Sequence, residues 1–155
     1  MKALKKILIL FIIVLLVLPA ISYIGIVIAN NSIAATIKHD LVRYEMPQDT
    51  ELIDSISKAG KLNGNGNGMQ YMGAILVKSD LNEKELQEYY SSDFAFIEVR
   101  KQDTAILKFD LVSYNFKGLS ETENESYYSI VCWDDGRDEY GAFICELLDL
   151  DLRGH

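Results

Sequence analysis

The stretch that decides the architecture of this chain is residues 7–29, which read ILILFIIVLLVLPAISYIGIVIA. These 23 residues carry no charge, and three lysines precede them at Lys2, Lys5 and Lys6. A helix rises about 1.5 Å per residue, so the stretch is about 34 Å long and can cross a hydrocarbon core of about 30 Å. The sequence therefore predicts a membrane-spanning helix in this region.

A cleavable export signal is the competing interpretation of the same residues. Such signals combine a basic start, an apolar core of about 7–15 residues and a small-residue cleavage site. Residues 7–18 can serve as that core, with cleavage sites at 20–22 or 32–34. The apolar run continues beyond Pro19, however, and proline is common in membrane helices. Its length therefore favours an uncleaved anchor over secretion after cleavage.

The lysines also predict the orientation, because cytoplasmic flanks of membrane helices carry an excess of basic residues. Beyond the apolar run, only Lys38 and Arg43 lie near the membrane. We therefore expect the amino terminus in the cytoplasm and the remainder outside. The expected segments are a basic terminus at 1–6, a signal-anchor helix at 7–29, a helical stalk at 30–47 and an extracytoplasmic domain at 48–155.

The stalk prediction depends on apolar spacing. Ile33, Ile37 and Leu41 recur every four residues, which places them on one stripe of a helix. Pro47 ends any such helix, because a proline disfavours helical geometry in the residue before it.

The part of the chain after Asn30 is acidic, with 23 acidic and 12 basic residues and a formal charge of −11. A domain of this charge repels nucleic acid, so a nucleic-acid partner is not expected. Its length of about 125 residues suits one domain with a core of its own.

Turn residues and apolar patterns predict an α+β fold in which one helix packs on an antiparallel sheet. Residues 50–59 fit either a short helix or a strand. The other predicted elements are a strand at 71–78, a helix at 81–91 with Asp80 and Glu83 as capping box, a hairpin of strands 94–101 and 104–113, and a second hairpin of strands 127–133 and 142–148.

Three short segments carry a resemblance to known proteins. They are Gly64–Tyr71, Ile75–Leu81 and the pair Tyr89 and Tyr90. Together they resemble small membrane-anchored extracytoplasmic proteins of Gram-positive bacteria that are uncharacterised. The resemblance implies a location in the cell envelope and no particular chemistry.

Cys132 and Cys145 are the two cysteines, and the second predicted hairpin places them nearly opposite each other. Cross-strand Cα distances of about 4.5–5.5 Å allow a disulfide, which persists outside the cytoplasm. Two buried thiols that pack as small apolar side chains are the alternative. The histidines, His39 and His155, are too far apart in the sequence to suggest a metal site with these cysteines.

Two loops contain residue types that occur in binding sites. The run from Gly64 to Gly68 precedes a strand, whereas loops that hold phosphate lead into a helix, so a tight turn is the favoured interpretation. Asp134, Asp135, Asp138 and Glu139 crowd another loop, but their spacing does not match a calcium-binding loop. A solvated hairpin tip is favoured there, and neither a metal nor a cofactor is expected.

No catalytic motif occurs in the sequence, neither a nucleophile elbow nor a zinc-protease helix. The leading hypothesis is therefore a single-pass membrane protein with a binding or interaction domain and an envelope protein as partner. A pilin-like subunit is the first alternative, although the apolar run contains no glutamate and the pilin leader motif is missing. A cell-envelope hydrolase is the second alternative, suggested by the abundant carboxylates alone.

Overall fold

A computed structural model describes residues 2–62, 68–109, 112–118, 126–134 and 137–153. Over these residues it contains three helices and six strands. They are α1 (Lys2–Arg43), β1 (Thr50–Gly60), β2 (Gln70–Ser79), α2 (Glu83–Tyr90), β3 (Ile97–Gln102), β4 (Ile106–Phe109), β5 (Val112–Asn115), β6 (Tyr127–Asp134) and α3 (Arg137–Leu148). The predicted α+β fold with an antiparallel sheet is confirmed.

Helix α1 is 42 residues long and continues through Pro19. Among the described residues, α1 is the one helix that is long and apolar enough to cross a membrane. No residue of its most apolar 18-residue segment is buried within the protein. Its last four turns differ, because Asn30, Ala34 and Leu41 are buried against the rest of the chain. Residues 30–43, most of the helical stalk predicted at 30–47, are therefore helical and pack on the domain along one side.

The main sheet has the strand order β1-β2-β6-β3, and all its pairs are antiparallel. Ile130 of β6 is paired with Ile75 on one side and with Val99 on the other, so β6 lies in the interior of the sheet. Strands β4 and β5 form a separate two-stranded sheet. Residues 50–59, which were ambiguous in the sequence, lie in β1 at the edge of the main sheet.

Alternate side chains of β2 and β6 pack on opposite faces of the sheet, as the two-residue period of a strand requires. On one face, α1 and α2 cover a buried cluster that includes Leu41, Ile75, Val77, Leu86, Tyr90 and Ile130. On the other face, the β4–β5 sheet and the residues after it cover Met72, Ala74, Leu76 and Val131 with Leu107 and Phe116. The sheet is thus buried on both faces, which explains the continuous apolar run of β2.

Gly73 of β2 allows the closest approach between α1 and the sheet. A Cβ added to Gly73 would lie 2.5 Å from the backbone nitrogen of Lys38 and 2.8 Å from the carbonyl carbon of Ile37. Contacts of this length are impossible for any side chain, so the helix backbone rests directly on the strand at this point.

Helix α2 begins two residues later than predicted. The sequence pattern had placed the N-cap at Asp80, whereas the N-cap in the structure is Asn82. Asn82 is its N-cap, because its Oδ1 accepts hydrogen bonds from the backbone nitrogens of Lys84 at 3.0 Å and Glu85 at 3.1 Å. The Glu85 carboxylate in turn accepts from the Asn82 nitrogen at 2.9 Å. Asn is as good an N-cap as Asp, so the later register satisfies the same groups and buries Leu86 and Tyr90.

Both predicted hairpins were wrong. Strand β3 pairs with β6 rather than with residues 104–113. This pairing places Val99 beside Ile130 of β6 in the buried cluster. Residues 142–148 form the last part of α3 and not a strand. A run of seven residues rich in apolar side chains fits a strand or a helix by its pattern. In the structure it is helical, and Leu148 at its end is buried in one cluster with Ala34 of α1.

Candidate functional site

A cleft of about 410 Å³ opens between α1 and the end of β6. Three separate parts of the chain form its walls. The lining residues are Ile33, Thr36, Ile37 and Asp40 of α1, residues 93–96 between α2 and β3, and Cys132, Trp133 and Asp134 of β6. This cleft is the candidate binding site.

An aromatic cluster holds the 93–96 wall in place. The ring of Tyr44, just after α1, lies 5.2 Å from the ring of Phe94 and 5.6 Å from the ring of Tyr90, in tilted or edge-on geometry that favours attraction. The Tyr44 hydroxyl donates a hydrogen bond to Asp93, which also accepts one from Ser92. The Tyr44 hydrogen bond is the main cause that lowers the pKa of the Asp93 carboxyl, so Asp93 is charged at neutral pH.

The lining of the cleft combines negative charge with apolar surface. Asp40, Asp93 and Asp134 contribute carboxylates from its three walls, and none of the described residues that line it is lysine or arginine. Ile33 and Ile37 supply apolar surface from α1. Such an arrangement favours a ligand with a positive charge next to an apolar body, because each part then meets a complementary surface.

The Cys132 thiol at the base of this cleft is not an activated nucleophile. Burial first, and then the nearby carboxylates of Asp134 and Asp40, raise its pKa to about 11. A reactive cysteine requires the opposite surroundings, with positive charge that stabilises the thiolate. Cys132 therefore contributes a small apolar surface to the cleft.

The predicted disulfide partners do not face each other across two strands. Cys132 lies on β6 and is buried, whereas Cys145 lies on α3 and is half-buried. Both are thiols in the structure. The cross-strand register on which the pairing depended is absent, because residues 142–148 are helical.

Of the four acidic residues weighed as a metal site, Asp134 lines the cleft. Asp135 and the side chains of Asp138 and Glu139 lie outside the described residues. The same holds for residues 64–67 of the run from Gly64 to Gly68 and for residues 119–125. Within the described parts of the chain, no group of three or more histidine, cysteine, aspartate or glutamate side chains converges as a metal site.

A second feature, a buried polar cluster, lies one helical turn below the cleft. The Asn30 side-chain nitrogen donates to the Leu148 carbonyl at 3.1 Å and to the Asp151 carboxylate at 2.9 Å, and its oxygen accepts from the Tyr71 hydroxyl at 2.8 Å. Arg153 donates to the same carboxylate, with its Nε 2.9 Å and 3.1 Å from the two oxygens. We name Asn30, Tyr71, Asp151 and Arg153 the Asn30 cluster.

The Asn30 cluster fixes the end of the described chain to α1. The hydrogen bond from Arg153 is the largest cause that lowers the pKa of Asp151, to about 2, against the opposing effect of burial. Arg153 also reaches the carbonyl oxygen of Val27 at 3.4 Å and the side chain of Asn31 at 3.1 Å. The last described residues therefore lie beside α1 at the point where its long exposed segment ends.

Comparison with protein-family models, with curated proteins and with solved structures gave no match to this chain.

Proposed function

We propose that this protein is a single-pass membrane protein whose domain lies outside the cytoplasm and binds a cationic, partly apolar segment of another envelope protein. The cleft between α1 and β6 is the observation that carries the proposal, because it joins three carboxylates to apolar surface. The length and composition of residues 7–29 support the anchor, and the three lysines before them support the orientation.

The position of the cleft supports a partner that is itself in the envelope. Its α1 residues run from Ile33 to Asp40, about 6 to 17 Å beyond the end of the apolar segment at Ala29 for a helix that stands upright. A segment of a second protein that leaves the same membrane passes at this height. The acidic charge of the domain attracts a basic segment over a distance of about one Debye length.

The binding test uses the full chain in detergent micelles and a capped Lys-Phe-Lys peptide as the probe. Trp133 lies at the cleft and is the one tryptophan of the chain, so its fluorescence reports on occupation. We expect saturable binding that weakens with salt. The double variant Asp40→Asn with Asp134→Asn should bind about fivefold more weakly, since each exposed ion pair contributes roughly 0.5 kcal/mol.

A matched control removes the same charge elsewhere. Asp80 and Glu51 are exposed and lie near the opposite end of the sheet, where β1 and β2 meet at Thr50 and Ser79. The double variant Asp80→Asn with Glu51→Gln should bind the peptide as the unaltered protein does. If both double variants bound the peptide equally weakly, the loss of binding would come from the overall charge of the domain. That result would contradict a binding role for the cleft.

A pilin-like subunit is the second candidate function. The continuity of α1 favours it, because one helix first projects as an exposed apolar segment and then packs on an antiparallel sheet. Pilin-like processing removes a short leader and keeps the apolar helix. Intact-mass measurement of the mature protein therefore separates the two candidates, since an anchor that is not processed keeps Lys2, Lys5 and Lys6.

A further inference from the structure

An exposed apolar surface lies on the last helix and the residues that follow it. Its members are Phe143, which is 70% exposed, Leu152, which is 68% exposed, and Ile144, Leu147 and Leu150. We name these five residues the α3 patch. On α3, Phe143 and Leu147 are four residues apart and thus on one side of the helix, whereas Leu148 points to the core and is buried. Exposed apolar surface of this kind marks a docking site.

The Asn30 cluster sets the height of the α3 patch relative to the apolar segment of α1. Asn30 binds the Leu148 carbonyl, and Arg153 reaches the carbonyl of Val27. Leu150 and Leu152 lie between these two attachments in the chain. A hydrocarbon core of about 30 Å takes about 20 helical residues, so a span that begins at Ile7 ends near Val27. The patch and the edge of the span are therefore at the same level.

We propose that the α3 patch lies in the interface of the bilayer that α1 crosses, with its apolar side chains among the lipid headgroups and upper acyl chains. The occupant of this surface is lipid, because the residues from Leu148 to Arg153 are attached to α1 between Val27 and Asn30, where the exposed apolar segment of α1 ends. A helix in such an interface buries its apolar face roughly 5–10 Å into the boundary.

The polar groups beside the patch agree with this placement. Glu146 is exposed and lies about 100° around the helix from Leu147, at the border of the patch. Arg153 brings a cation to the level of the headgroups while it binds Asp151. With α1 and α3 both in contact with the bilayer, the domain has two attachments, and the cleft is held at a fixed height above the membrane.

The inference rests on the proposed membrane span, and depth-dependent quenching by brominated lipids tests the two separately. The full chain is reconstituted in phosphatidylcholine–phosphatidylglycerol vesicles, and one tryptophan is added to each of three variants. Leu150→Trp reports on the α3 patch, Ile13→Trp on the span and Phe96→Trp on the cleft, which α1 holds further from the span. All three positions are exposed, and the unaltered protein measures the background quenching of Trp133.

We expect strong quenching of Ile13→Trp. We also expect the quenching of Leu150→Trp to be about threefold or more that of Phe96→Trp. If Ile13→Trp is quenched while Leu150→Trp matches Phe96→Trp, α1 spans the membrane and the α3 patch does not touch it, which overturns the inference. A patch covered by a second copy of the chain gives this same result. If Ile13→Trp is not quenched, the span itself is refuted, and the inference is overturned with it.

Discussion

Replacement of Gly73 by alanine tests how closely α1 rests on the sheet. The added methyl group would lie 2.5 Å from the Lys38 nitrogen and 2.8 Å from the Lys38 Cα, whereas ordinary contacts begin at 3.4 Å. The helix must therefore move away from β2 by about 0.9 Å. No side-chain rotation relieves the contact, because the neighbouring atoms belong to the helix backbone.

The cost of Gly73→Ala follows from this displacement. Overpacking of a core commonly costs about 1–3 kcal/mol, and we expect the upper end because a shift of α1 also loosens the packing of Ala34 and Leu41. For a domain of about 125 residues, a loss of about 3 kcal/mol lowers the melting temperature by about 10 °C. Thermal unfolding of the full chain in detergent, followed by Trp133 fluorescence, measures this change.

Gly25→Ala is the matched control, because a Cβ at Gly25 meets no atom within 4 Å. We expect it to melt within about 1 °C of the unaltered protein. If Gly73→Ala also melted within about 2 °C of the unaltered protein, α1 would not lie against β2 as described, and the packing account of the domain would be refuted.

Three further predictions concern single groups. Asn82→Ala should lower the free energy of unfolding by about 1 kcal/mol in urea titrations, whereas Asn82→Asp keeps the N-cap and should change it little. Near pH 8, Ellman's reagent should modify Cys145 first and leave Cys132 unmodified until the protein unfolds, because burial raises the pKa of Cys132 to about 11; equal rates would contradict this burial. The pKa of Asp151 is lowered to about 2, so its charged form stabilises the fold by about 2 kcal/mol above about pH 5, and this stabilisation is lost as the pH falls through 2 to about 1. Asp151→Asn should abolish this part of the pH dependence of urea unfolding, and an unchanged dependence would assign it to other groups.

The elements that could be predicted from the sequence have apolar patterns that fit a helix or a strand but not both. The apolar run of α1 is too long for a strand, and the pattern of β2 and β6 gives short apolar runs between turn residues. Leu86 and Tyr90 of α2 also face the core as the four-residue spacing indicates. In each case, local periodicity and burial favour the same element.

The wrong predictions concern segments whose secondary structure or strand pairing depends on contacts with distant parts of the chain. The residues 142–148 are short enough to fit a strand or a helix, and contact with α1 selects the helix. The pairing of β3 with β6 joins Val99 to Ile130, and no local pattern distinguishes it from a hairpin. The cleft could not be predicted, because its three carboxylates come from three separate segments that only the fold brings together.

The Asn30 cluster left one signal in the sequence that was missed. Asn30 lies on the same helical stripe as Ala34, Ile37 and Leu41, so a helix that buries this stripe also buries the Asn30 amide. A buried amide requires hydrogen-bond partners. The stripe thus indicated that some distant polar groups reach α1, although their identity as Tyr71 and Asp151 follows only from the structure.

The state of residues 7–29 in the mature protein tests the account most directly. Membranes from expressing cells are washed with alkaline carbonate, and the amino-terminal sequence of the retained protein is determined. We predict that the protein stays with the membranes and that its sequence still contains residues 7–29, because we propose this segment as the anchor. A mature chain that begins after Ser22 or Ala34 and is recovered in the soluble fraction would contradict the account.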